Sequence, residues 1–140
     1  MTNILYPEDY KFGIQQEEKV VNILRDYFGR DIKRSEDNFS KHDYYDELYT
    51  YEMKSRKNAY SRYPTTMITQ DKIITQENKK LILLFNFTDG LYFIEYDQEK
   101  FKKYKTDLFS RANLVWNQKP HVYIDIADLT KVSFETKSPA

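Results

Sequence analysis

The stretch KLILLFNF at residues 80–87 constrains this chain more than any other. Its run of apolar side chains leaves no polar face, and eight residues suit a strand better than a helix. A strand that is apolar on both faces has to be buried on both. TDG at residues 88–90 supplies a turn, and LYFIEY follows as a partner strand. The centre of the fold is therefore expected to be a sheet.

Other segments supply its neighbours. From Glu8 to Phe28, Ile14, Val21, Leu24 and Phe28 recur at helical spacing, and Gly29 stands where a helix stops. DIKR reads as a short strand. HDYYD and LYTYEMKSR read as two strands joined tightly through Asp46 and Glu47, a hairpin. NAYSRYPTT reads as a loop around Pro64, and residues 66–78 as a second helix. Asp97 caps a short basic helix, QEKFKKY. HVYIDI is a further strand, and ADLTKV a closing turn or helix. These elements predict one α/β domain over residues 1–140, with a mixed central sheet flanked by helices and frayed ends at 1–7 and 135–140.

Composition narrows the chemistry. The chain has no Cys, which excludes disulfides and thiolate metal sites, and its two histidines, His42 and His121, are far apart. A bound metal would be held by oxygens, which favours Mg²⁺, Mn²⁺ or Ca²⁺. The N-terminus lacks the basic start and apolar run of a signal peptide, and no segment has the length of a membrane span, so an intracellular, non-secreted protein is expected. No glycine-rich phosphate loop is present, and no small-molecule cofactor is expected. Net charge is zero but segregated: residues 1–53 carry five more acids than bases, and residues 54–119 six more bases than acids. Acids to hold cations beside bases to hold phosphates suit a metal-dependent phosphodiesterase.

The hairpin carries the candidate site. Side chains alternate along LYTYEMKSR, so Thr50, Glu52, Lys54 and Arg56 share one face, and Tyr51, Met53 and Ser55 the other. The preceding strand brings Asp43 alongside Glu52. Two carboxylates can share a hard divalent cation, and a lysine beside them can stabilise charge developing on phosphorus. On the first helix, Glu17 falls within the apolar stripe, where a carboxylate is costly unless paired. Its neighbour Glu18 lies about 100° round the helix and can be solvated.

In order and spacing, Gly13-x-x-x-Glu17, Asp43 and Glu52-Met53-Lys54 resemble the PD-(D/E)xK nuclease superfamily. The texture KHDYYDELYTYEMKSR is similar to small viral and phage members, and Holliday-junction resolvases share the Gly-x-x-x-Glu helix entry. His42 stands where the pattern has proline. The resemblance implies a restriction-endonuclease-like fold with an αβββαβ core. It implies that Asp43 and Glu52 bind Mg²⁺, with Mn²⁺ as substitute, and that the Met53 backbone carbonyl completes the shell. Lys54 would act on water and phosphate, and Glu17 would bind or orient a second metal or its water.

Beyond the hairpin, Arg56, Lys57, Arg62 and Lys72 are interleaved with Tyr60, Tyr63, Thr65 and Thr66. Basic, aromatic and hydroxyl side chains together suit contact with DNA phosphates and unpaired bases. The expected activity is Mg²⁺-dependent endonucleolytic cleavage of duplex or branched DNA, by a homodimer because one chain supplies one site. The alternative is a non-catalytic nucleic-acid-binding or assembly module with a nuclease-like fold.

Overall fold

The computed structural model describes residues 7–36, 42–73, 78–109 and 118–132; the side chains of 7–17 and of Phe109 lie outside that description. Helix α1 spans Pro7–Phe28. Proline suits its first turn, where an N–H would have no intrahelical acceptor. Gly29 ends it at φ 64°, and the Gly29 N–H donates to the Arg25 carbonyl at 2.9 Å, a left-handed cap that favours glycine. Expected fraying at 1–7 and 135–140 lies outside the described residues, apart from Pro7, which opens α1.

Six strands form the main sheet: β1 (Lys33–Arg34), β2 (Tyr44–Tyr45), β3 (Tyr49–Ser55), β5 (Lys80–Phe87), β6 (Gly90–Glu95) and β9 (Thr130–Lys131), in the order β1-β2-β3-β5-β6-β9. β3 and β5 run parallel, and the other pairings are antiparallel, so the sheet is mixed. A second, antiparallel sheet holds β4 (Thr65–Thr69), β8 (Lys119–Asp125) and β7 (Lys105–Phe109), in the order β4-β8-β7.

β5 is buried on both faces, as its sequence requires. Ile82 and Leu84 pack with Val20, Val21 and Leu24 of α1. Leu81, Leu83, Phe85 and Phe87 pack with Ile68, Val122 and Ile124 of the second sheet. The layers are helix, six-stranded sheet, three-stranded sheet. The flanking helix expected on the second face is thus replaced by a sheet.

That replacement corrects the reading of residues 66–78 as a helix. Thr65, Thr66, Ile68 and Thr69 are β-branched, and Thr66 and Ile68 are buried between half-buried neighbours, a period of two. Pairing with β8 fixes them as a strand, followed by a 3-10 turn at Gln70–Lys72; residues 74–77 lie outside the description. Between β3 and β5 the described residues hold a 3-10 turn at Tyr60–Arg62, β4 and the turn at Gln70–Lys72. The basic helix is also shorter than expected. α2 covers Gln98–Phe101, and β7 begins at Lys105. Asp97 does cap α2, accepting the Glu99 and Lys100 N–H groups at 2.9 and 3.1 Å. Asp97→Ala is expected to cost about 1 kcal/mol in chemical denaturation, and no change would show the cap to be idle. No helix among the described residues is long and apolar enough to cross a membrane.

Candidate active site

The β2–β3 hairpin is set by Asp46. Its Oδ1 accepts the Leu48 and Tyr49 N–H groups at 2.8 and 2.7 Å, which closes the turn. Its Oδ2 accepts the Tyr51 hydroxyl at 2.5 Å and Arg30 Nε at 3.1 Å. The Arg30 guanidinium lies 4.0 Å over the Tyr49 ring. Burial works to raise the Asp46 carboxyl, but the Tyr51 hydroxyl, the two turn N–H groups and Arg30 together hold it below the usual carboxylate range.

This turn fixes the register Tyr44↔Tyr51 and Tyr45↔Thr50. Just beyond that register the Asp43 N–H donates to the Tyr51 carbonyl at 2.9 Å. Asp43 Oδ2 accepts the Met53 N–H at 2.9 Å. The hairpin thus brings Asp43 within electrostatic reach of Glu52.

Glu52 is 3% exposed, on the face of β3 turned toward the second sheet. Burial, then the Asp43 charge, push its carboxyl up to about 7, against the pull of Lys54 and Lys72. Lys54 Nζ stands 3.4 Å from Glu52 Oε1, and Lys72 Nζ stands 3.8 Å from the same oxygen. The 3-10 turn after β4 carries Lys72, expected to contact DNA, to Glu52. His42, buried at 4% exposure, places Nε2 3.3 Å from the Lys72 carbonyl oxygen. Asp71 is held below its usual range by a hydrogen bond with the Thr69 side chain and by Lys119, Lys72 and Lys54. Lys119, from the start of β8, thus joins the basic rim, although nothing in its local sequence marked it.

The remaining expected contacts divide. Lys57, Arg62 and Tyr63 are exposed, with Arg62 over the Tyr63 ring at 5.4 Å, and Thr65 is half-buried. Arg56, Thr66 and Tyr60 make contacts within the fold. Arg56 bonds Thr66 Oγ1 at 3.3 Å and also the Met67 carbonyl, bracing β3 against β4. Tyr60 stacks on Tyr92 with ring centroids 4.0 Å apart and donates its hydroxyl to the Ile126 carbonyl at 2.7 Å. A half-buried arginine and tyrosine look like surface ones in sequence, because both types serve either place.

Position 17 sits one helical turn before the buried Val21, as the stripe requires, but the Glu17 side chain lies outside the described residues. α1 packs on the Tyr51 face of the sheet, opposite the Glu52 face. Glu18 is solvated, with Arg34 Nε 3.4 Å from its Oε1. Among the described residues no three acidic or histidine side chains converge as a metal cluster. The Asp43–Glu52 pair still fits a hard divalent cation in chemistry: it offers oxygens, and each carboxylate's charge opposes the other's in a site where Glu52 is desolvated.

No family model matches this chain, and neither a curated protein nor a solved structure matches it.

Proposed function

We propose that this protein is a Mg²⁺-dependent DNA endonuclease of the restriction-endonuclease-like type, hydrolysing phosphodiester bonds at the β2–β3 hairpin. The observation that carries the reading is Glu52: a buried carboxylate, faced by Asp43 across the hairpin, with two ammonium groups at its Oε1. Burying a carboxylate beside another is costly, and a surface hairpin gains nothing by it. A phosphodiesterase does, because paired oxygens hold a cation and adjacent lysines hold a phosphate.

Asp43 and Glu52 would hold Mg²⁺, with the Met53 carbonyl beside them. The cation would supply Lewis acidity toward the phosphate and a lowered pKa for bound water. Lys54 donates hydrogen bonds to the phosphate oxygens as charge builds there. The Met53 N–H bond fixes Asp43, so the carboxylate does not swing away between turnovers. Lys57, Arg62 and Tyr63 extend the site toward the flanking DNA. Two chains, each with one site, would cut two strands.

An Mg²⁺ assay on linear duplex, single strand, flap and four-way junction tests the reading. Cleavage should be lost in excess EDTA. Cleavage that persists without divalent cation, or none on any of the four substrates, overturns it; binding without cleavage would leave the non-catalytic module. Lys57→Ala with Arg62→Ala should weaken DNA binding and make log K less steep in log salt by about 0.9 for each phosphate no longer neutralised. An unchanged slope would remove both residues from the interface.

A further inference from the structure

Glu52 Oε1 has two lysines, and the hairpin supplies one of them. Lys54 comes from β3 itself, whereas Lys72 comes from the turn after β4, in the other sheet layer. The second lysine is placed by two independent braces. Arg56 bonds to Thr66 and to the Met67 carbonyl, which fastens β4 to β3. His42 Nε2 lies 3.3 Å from the Lys72 carbonyl oxygen. A carbonyl oxygen can only accept, so Nε2 carries the hydrogen. His42 is also the residue before Asp43, so this one bond ties the turn bearing Lys72 to the strand end bearing the first carboxylate. His42 occupies the position where the sequence departs from the motif it resembles.

We infer that Lys72 is a second lysine acting on the reacting phosphate and that His42 positions it; this rests on the nuclease reading above. Charge argues for it. Asp43 and Glu52 against Lys54 and Lys72 cancel. A phosphodiester under attack by hydroxide carries two negative charges. With a divalent cation on the carboxylates, the site matches those two charges when both lysines are counted, and falls one short with Lys54 alone. In a desolvated site such a mismatch is expensive. Geometry argues for it as well. Lys72 Nζ, at 3.8 Å from Glu52, is beyond a normal hydrogen bond, so moving to a phosphate oxygen breaks no close interaction. Its side chain is 37% exposed, and an ammonium has three donors, so donors remain for an incoming phosphate.

The test compares Lys72→Ala, Lys72→Arg, His42→Phe and His42→Gln in steady-state cleavage and in Mn²⁺ calorimetry without DNA. Lys72→Ala should lower kcat at least about 30-fold while KM changes less than about threefold, the mark of an interaction made in the transition state. Lys72→Arg keeps the charge and should recover most of the rate. Mn²⁺ should bind Lys72→Ala severalfold more tightly, because one ammonium no longer competes for Glu52. His42→Phe should lower kcat about tenfold, His42→Gln, which retains an N–H donor, should restore it, and His42→Phe should add less than about twofold on top of Lys72→Ala. Should His42→Phe not fold, His42→Gln and the Lys72 pair decide. Wild-type kcat and unchanged Mn²⁺ affinity in Lys72→Ala overturn the role of Lys72. Full additivity of the two substitutions overturns the role of His42. If the wild type cuts and Glu52→Ala does not, either result leaves the nuclease reading standing. A wild type that cuts none of the four substrates overturns that reading and this inference together.

Discussion

Glu52→Gln is expected to end DNA cleavage, by at least about a thousandfold, and at the same time to stabilise the metal-free protein at alkaline pH. The first effect follows from removing a charged oxygen donor at the centre of the site, with a loss of about 4 kcal/mol or more in transition-state stabilisation. The second follows from burial. The folded-state carboxyl is pushed up to about 7 from an ordinary value of 4.5. A group with a raised folded pKa favours folding below its unfolded pKa, and that advantage is lost as pH rises through the folded value. The wild type therefore carries an ionisation penalty above about pH 7, on the order of 3 kcal/mol, that is absent near pH 4.5. Gln cannot ionise and escapes it. In EDTA, Glu52→Gln should melt above the wild type at pH 8.5, and the gap should close on acidification to about pH 4.5. Mn²⁺ should raise the melting temperature of the wild type much more than that of the variant. A gap that is the same at both pH values would mean that Glu52 titrates as an ordinary surface carboxylate.

The largest loss of stability is expected from Asp46→Ala. Its two oxygens accept from Leu48, Tyr49, Tyr51 and Arg30, and the residue is 7% exposed. Truncation strands two turn N–H groups and leaves the Tyr51 hydroxyl and Arg30 only their mutual bond at 3.2 Å. Breaking one partner out of such a buried network costs about 3–5 kcal/mol, or roughly 10 °C in melting temperature for a chain of this size. Asp46→Asn keeps an acceptor for the turn and should cost less than half as much. Since the Asp46 carboxyl is held low, the contribution of the wild-type residue is lost as pH falls through that depressed value, the opposite sense to Glu52. Urea titrations at pH 7 decide the matter. A loss below about 1 kcal/mol for Asp46→Ala would show that the hairpin is held elsewhere. Cleavage should fall too, because Asp46 sets the register that brings Asp43 to Glu52.

Much of this was legible in the chain itself. KLILLFNF had to be a strand covered on both faces, and the alternation in LYTYEMKSR had to put Glu52 and Lys54 on one side of it. Those are local rules with a period of two, and they need no knowledge of the rest of the molecule. The helix stripe and its glycine stop are local in the same sense. What sequence could not supply is the identity of the cover. Thr65–Thr69 has enough apolar spacing to pass for a helix, and its pairing with residues 121–125 makes it a strand. That pairing is a contact across more than 50 residues of chain, so no window of sequence contains it. The same cause hid the roles of individual side chains. Lys72 was visible as a cation, Arg56 as another, Tyr60 as an aromatic. Tertiary packing decided that the first stands at Glu52, the second braces two sheets and the third stacks on Tyr92. Residue type and periodicity determine what a side chain can do and which face it occupies; which partner meets that face is fixed only when distant segments come together.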